Sequence, residues 1–317
     1  VSIDTLRDRR QPDLRLSPAR AYEVGSRDEE HDAIRHLARD ADWSIVIAPE
    51  FSGYLLNRCQ AVAEAGGKLL GPSARLMALA SDKHATAEHL TAHGVTTARG
   101  VALAAGELLP EWFVYPAVLK PRDGAGSQGI QYIKGPAAGQ KVDHQPGQHP
   151  SWRLEQFCHG MAVSVACLCG PGRIVPLVPC QQHLSEDGRF SYRGGRLPID
   201  SSRAERAAQL AERAVRALAQ LAPTGISAQR ETAGDEELWG YLGVDLVLDE
   251  QGSRDHDVVI EINPRMTTSY VGLSAFARGN LAQAMLTIAA GGDFEMDWHP
   301  GAIEFDALGN VFSNSAG

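Results

Sequence analysis

Several kinds of signal are missing from this chain of 317 residues, and each absence removes a class of function. No apolar stretch approaches the roughly 20 residues that a membrane span needs. No charged-then-apolar pattern of a secretory signal opens the chain at Val1. Lysine and arginine together number 30 against 39 aspartates and glutamates, and no basic run is interleaved with aromatics. A net charge of -9 gives neither nucleic acid nor an anionic lipid surface a field to follow, so both are set aside as partners. The five cysteines (Cys59, Cys158, Cys167, Cys169, Cys180) lack the CxxC spacing of a zinc site. They are expected to be reduced structural thiols of a cytoplasmic protein, with Cys167 and Cys169 alternating along a strand as small apolar side chains.

What remains is an ordinary globular composition, 44% hydrophobic and 22% charged, long enough for two or three subdomains. Val1–Ile3 reads as a short strand followed by a polar loop. An α/β domain usually begins with a complete strand and helix, so an N-terminal strand-helix unit is expected to be missing here. Residues 28–40 have helical spacing, Trp43–Ala48 is a continuous apolar run of the kind a buried parallel strand shows, 53–66 is helical again, and Lys68–Leu70 returns as a strand. This alternation predicts a parallel, doubly wound domain over about residues 1–80.

Ser81-Asp82 can cap a helix through Leu90 that His93-Gly94 closes, and then the texture changes. Strands are expected at 117–120, 130–133, 152–155, 161–169, 173–180, 240–248 and 257–262. Long helices are expected at 202–221 and 275–290. The linker 135–150 is Gly-, Pro- and His-rich; its His144 and His149 lack ligand spacing and read as solvated. The division is α/β for 1–80, then α+β in a small lobe (81–160) and a large lobe (161–317).

Two motifs carry chemistry. Gly124-Ala125-Gly126-Ser127-Gln128-Gly129 matches GxGxxG, but the residues after it alternate like a strand, whereas a dinucleotide fingerprint needs a helix there. No Gly-Lys-Ser/Thr ends the loop, and Lys120 precedes it with no HRD or DFG anywhere, so neither a P-loop nor a protein kinase fits. A strand-loop-strand flap over phosphates does fit, against the blander reading of a surface hairpin. The second motif pairs Gly243–Leu248 with Val258–Arg265. Asp245 interrupts an apolar strand, where a bare carboxylate is costly. Glu261 and Asn263, two apart, share a strand face. If the strands are antiparallel neighbours, these three oxygens converge into a site suited to Mg²⁺, with Mn²⁺ as the alternative. Arg265 then points where a phosphate or carboxylate would lie, unless it merely pairs with an acid on the same rim.

In this order the motifs resemble the ATP-grasp superfamily, over nearly the whole chain. The resemblance implies an ATP-grasp fold behind a parallel-sheet pre-ATP-grasp domain. It implies ATP-binding roles for Lys83, Lys120, the flap glycines Gly124, Gly126 and Gly129 with Ser127 and Gln128, and the hinge Glu155-Gln156-Phe157. Asp245, Glu261 and Asn263 become the metal ligands, and Arg265 with Lys120 the catalytic pair that steadies an acyl phosphate. The stretches 47–50, 70–73, 243–245 and 261–268 are similar to small-molecule ligases of the tyramine–glutamate (methanofuran-type cofactor biosynthesis) and pyrrolysine-pathway kinds. One departure stands out: many members carry a ribose-binding glutamate just after the hinge, and Gly160-Met161-Ala162-Val163-Ser164 has no acid.

The function implied is ATP- and Mg²⁺-dependent joining of a small carboxylate, such as glutamate or another amino acid, to an amine, with a homodimer left open. Two alternatives are weighed: a nucleotide-binding sensor without catalysis, and a phosphotransferase that stops at a phosphorylated product. Substrate-side candidates are Glu50 at a strand end, Arg193 in the supposed loop 191–195, and Thr267. Glu50 could meet an amine or merely charge a helix N-terminus, and Arg193 could clamp a carboxylate or stay solvated.

Overall fold

The computed structural model describes residues 1–11, 19–142, 151–221 and 238–314. At the N-terminal end β1 (Asp4–Asp8) and β2 (Arg20–Val24) pair in parallel. Helix α1 (Arg27–Asp40) follows, its first turn acidic and capped by Ser26, whose hydroxyl accepts from the Glu29 amide at 3.1 Å. Helices α2 (Tyr54–Glu64), α3 (Ala74–Ser81) and α4 (Lys83–Ala92) complete this end. Val1–Ile3, expected as a strand, lies outside one; the strand starts at Asp4.

The runs 43–48 and 68–70 do not form strands either. They meet in a single parallel bridge, Ser44 to Leu69. Ile45 and Ile47 remain 44% and 65% exposed. A continuous apolar run becomes a central strand only when neighbours cover both of its edges and faces. Here the β1–β2 pair forms a sheet of its own, so the described residues hold parallel pairings but no doubly wound sheet.

The next layer is a four-stranded antiparallel sheet of β3 (Gly100–Ala104), β4 (Ala117–Pro121), β5 (Gln131–Ile133) and β6 (Ser151–Gln156), in the order β3-β6-β4-β5. Leu103, Leu119, Trp152 and Leu154 bury its apolar face. Of the supposedly structureless linker, Lys141 bridges Leu108 and Val142 is buried, while 143–150, with both histidines, lies outside the described residues.

The largest sheet contains β7 (Met161–Gly170), β8 (Arg173–Pro176), β9 (Cys180–Leu184), β10 (Tyr192–Leu197), β11 (Gly240–Leu248), β12 (Val258–Asn263), β13 (Ala302–Asp306) and β14 (Val311–Asn314). Its order is β12-β11-β7-β9-β10-β13-β14, with β8 on β7. The segment 191–195, expected as a loop, is the start of β10. Helix α5 (Ser201–Ala219) is capped by Asp200 and lays Ala207, Leu210, Ala211, Ala214, Val215 and Leu218 on one face of this sheet. Near its start Arg206 reaches the Asp257 carboxylate through two bonds of 2.9 and 2.7 Å, both side chains buried. The other face carries α6 (Ser269–Phe276) and α7 (Leu281–Ala289). These replace the one helix expected at 275–290. Arg278-Gly279 breaks the run, and Asn280 restarts it by accepting from the amides of Ala282 and Gln283.

Strand parity sets up the site. On β11, Leu242, Val244, Leu246 and Leu248 enter the α5 core, so Tyr241, Gly243 and Asp245 face the other way. On β7, Val163, Val165, Cys167 and Cys169 do the same, leaving Ser164 beside Asp245.

Candidate active site

The two sheets enclose a cleft of about 950 Å³ lined by the flap, the 157–162 hinge segment, β9, β11 and β12. Strands β11 and β12 are antiparallel neighbours with Asp245 opposite Glu261 and Gly243 opposite Asn263. The register then slips, so that Leu246 meets Val259 and Ile260 is left over. This bulge turns Ile260 to the cleft together with Glu261 and Asn263, while Val259 and Ile262 stay in the core.

Each cation of the site is held by a carboxylate. Lys83, the first residue of α4, lies 3.1 Å from Glu261 and donates to the Gly124 carbonyl at 2.6 Å. Its position follows from Asp82, which caps α4 and is gripped by Arg122 just beyond β4. Burial raises the Asp82 carboxyl, but the Arg122 guanidinium and the helix amides lower it further, below its usual range. Lys120, 2% exposed, meets Glu155 at 2.5 Å and approaches the Ile260 carbonyl at 3.5 Å. Glu155 also accepts from Arg153 at 2.8 Å, so one buried acid joins two cations. Arg265 lies 2.9 Å from one oxygen of Glu50 and donates to the other at 3.0 Å.

The acidic pair is less well compensated. Asp245 accepts from the Gln182 amide at 3.1 Å and the Asn263 amide at 3.0 Å, both neutral donors. Burial, and then the nearby Glu261 charge, push its carboxyl up to about 7. Glu261 moves the opposite way: burial would raise it, but Lys83, Lys120 and Arg265 together bring it below its usual range. The two acids face each other across the strand pair and shift in opposite directions. Among the described residues no cluster of three His, Cys, Asp or Glu exists. Two carboxylates and an amide oxygen nevertheless suit Mg²⁺, which takes few protein ligands and fills its shell with phosphate oxygens and water.

The flap spans the cleft mouth with Gly126 and Gly129 at positive φ, and Ser127 shares that conformation at 61°. The Ser127 hydroxyl donates to the Phe190 carbonyl at 2.8 Å, tying the flap to the β9–β10 connection. Phe190 stacks on the hinge Phe157 with centroids 5.8 Å apart, and Tyr132 meets Phe157 edge-on at 5.1 Å. Phe157 and Phe190 present apolar ring surface to the cleft.

Lys120, Ala125–Gln128, Glu155, Phe157, Asp245, Glu261, Asn263, Arg265 and Thr267 all line the cleft. Other expected site residues do not. The Gln156 side chain is not part of the wall; its backbone bonds Arg99 across the small sheet. Gly124 and Gly129 shape the flap from outside the lining. Arg193 is exposed on β10, away from the cleft, because strand alternation sends its side chain outward between Tyr192 and Gly194. Glu50 is 5% exposed, caps no helix and faces Arg265 instead of the cleft. Thr267 closes a ring of hydroxyls with Tyr241 and Ser269, at separations of 2.7–3.0 Å. Sequence reading missed Arg153 and Gln182, and it had considered Ser164 only for a ribose contact. Only Arg153 had a signal, two residues before Glu155 on a strand and so on the same face.

The ATP-grasp domain family matches residues 80–269, and the pre ATP-grasp 3 domain family matches residues 1–75. The chain belongs to the ATP-grasp family. It is 25% identical over 236 residues to tyramine–L-glutamate ligase of Methanocaldococcus fervens, covering 73% of this chain. The chain spans 61% of the length of that relative. Two solved structures share the ATP-grasp architecture. The L-amino acid ligase from Bacillus licheniformis aligns with a TM-score of 0.63 at 18% identity, covering 91% of this chain and 68% of that one. A biotin carboxylase complex from Campylobacter jejuni aligns with a TM-score of 0.70 at 17% identity, covering 95% and 69%. No helix among the described residues is long and apolar enough to cross a membrane.

Proposed function

We propose that this ATP-grasp protein joins a small-molecule carboxylate to an amine at the expense of ATP, through an acyl phosphate. The observation that carries the reading is the convergence of Lys120, the glycine flap, the Asp245–Glu261–Asn263 set and Arg265 on one cleft. Phe157, Phe190 and the hinge backbone would receive adenine. Lys83 and Lys120 would leave Glu261 and Glu155 for phosphate oxygens. Mg²⁺, held by Asp245, Glu261 and Asn263, would neutralise phosphate charge. The substrate carboxylate attacks the γ-phosphorus, ADP leaves, and the amine then displaces phosphate to form the amide. Catalysis on this account is positioning and charge neutralisation, with Arg265 steadying the acyl phosphate and the flap keeping water out.

The similarity to tyramine–L-glutamate ligase supports glutamate or another amino acid as the carboxylate and a small-molecule, cofactor-building role. The five free cysteines fit a cytoplasmic location, and a homodimer is compatible with the reading. The division at 1–80, 81–160 and 161–317 goes with it.

The test is an ADP-release screen of amino acids, L-glutamate first, each paired with amines including tyramine, with products identified by mass. Release that requires both partners and yields an amide is expected. A stable phosphorylated product would make the protein a phosphotransferase, and tight MgATP binding without turnover would make it a sensor.

A further inference from the structure

The Glu50–Arg265 pair joins the region before the small sheet to the large sheet across 215 positions of sequence. The Glu50 side chain is 4% exposed and that of Arg265 18%. A free anion-binding arginine would face the cleft with all its donors available, whereas Arg265 lines the cleft with part of its guanidinium already engaged. Its Nε lies 2.9 Å from Glu50 Oε1 in a contact bent enough that neither atom counts as hydrogen-bonded. One Nη2 proton goes to Glu50 Oε2, and one Nη1 proton goes to the Met266 carbonyl at 3.1 Å.

A guanidinium has five N–H groups. The bonds to Glu50 and Met266 use two and the Nε–H lies against Glu50 Oε1, which leaves one on each terminal nitrogen. Two donors on one planar edge are what a phosphate or carboxylate needs for two-point binding. Arg265 itself lines the cleft and Glu50 does not. Glu50 therefore sits behind the guanidinium and does not compete for the face that meets substrate.

We infer that Glu50 is a positioning residue: it grips the back of Arg265 so that the two remaining N–H groups are fixed toward the anion that the cleft receives. This inference rests on the ligase reading, which makes Arg265 the anion clamp. It also gives the first eighty residues a part in the chemistry, because the clamp is aimed from there. The turn that follows Glu50 is held in place on its own side: Ser52, at φ 53°, donates its amide to Asp123 at 3.4 Å, just before the flap.

The experiment compares wild type with Glu50→Ala, Glu50→Gln and Glu50→Asp, each loaded with MgADP and titrated with inorganic phosphate by calorimetry. The ¹⁵N resonances of the Arg265 guanidinium and the thermal midpoint are followed in parallel. Expected are unchanged MgADP affinity, phosphate affinity weakened about tenfold in the alanine variant, and collapse of separate Nη signals as the group rotates freely. Gln, which keeps the shape and one acceptor, should restore part of the loss, and Asp, one methylene short, less. Equal or tighter phosphate binding in Glu50→Ala would make Glu50 a competitor or a bystander and overturn the inference alone. Parallel losses of MgADP affinity and thermal midpoint would reduce Glu50 to a structural contact and overturn it too. Phosphate that fails to bind wild type would remove the clamp itself, and with it the acyl-phosphate reading.

Discussion

Glu155, buried, and Asp245, half-buried, are acids on opposite walls of one cleft, and they are compensated in opposite ways. Glu155 has two cations within 2.8 Å, Lys120 and Arg153, so its charge is more than balanced. Asp245 has neutral partners, the amides of Gln182 and Asn263 and the Ser164 hydroxyl, with the Glu261 charge alongside. Buried charge without a partner is costly, and the group answers by holding its proton. The small-sheet side is thus complete as it stands and gives up a cation only in exchange for another anion. Among the described residues Asp245 on β11 has no cation of its own, which is the condition a divalent ion would relieve. On the proposed reading, the first wall would take phosphate and the second a metal ion.

Removing Lys120 tests the balanced side most severely. In Lys120→Met, Glu155 keeps Arg153, so the fold should survive. ATP turnover should fall at least a hundredfold, since a lost phosphate contact is worth about 2–4 kcal/mol in the transition state. ADP release with a parallel melting curve measures both, and near-normal turnover in a folded variant would break the assignment. Arg265→Lys keeps the charge but loses the planar fork that Glu50 grips. Ligation should drop about a hundredfold while MgATP still binds, and ATP consumption should outlast amide formation. An unchanged amide yield per ATP at an unchanged rate would return Arg265 to a plain ion pair.

On the other wall, Glu261→Gln should abolish most of the Mg²⁺-dependent gain in ATP affinity, about tenfold or more, as read by calorimetry with and without the metal. A gain equal to wild type would show that Glu261 is no ligand. Asp245→Asn sharpens the charge-deficit argument through pH. The folded carboxyl is raised to about 7 from an ordinary value of 3.8, so the folded state binds more protons between those limits and loses stability as pH rises through them. The amide carries no such penalty, and the facing amides of Gln182 and Asn263 can flip to suit it. Without nucleotide or metal, the variant should therefore melt a few degrees above wild type at pH 8, with the gap closing toward pH 4. A gap that is constant with pH would remove the titration from the explanation. Ser127→Ala should have the smallest effect. It releases one flap tether worth about 0.5–1.5 kcal/mol, raising KM for ATP up to about tenfold and leaving kcat nearly unchanged.

Where local chemistry decides, the sequence was legible. The flap, the pairing of β11 with β12, the Asp82 cap and α5 all follow from spacing, alternation and capping residues. Gly279-Asn280 was a readable helix break inside the apolar run 275–290, and it was passed over. The runs 43–48 and 68–70 were misread for a different reason. Their composition suits a central strand, but strand formation depends on neighbours that composition does not report.

The sequence by itself picked out the lysine before a glycine flap and the acids of the β11–β12 pair, because loop composition and strand alternation are local properties. Tertiary structure decided what those groups do in the absence of ligand. Lys83 rests on Glu261, Lys120 on Glu155 and Arg265 on Glu50, partners 178, 35 and 215 positions apart. No local rule reaches across such distances. Burial in a shared cleft makes unpaired charge costly, and that cost selects the partners and moves Glu50 from substrate candidate to the back of the arginine.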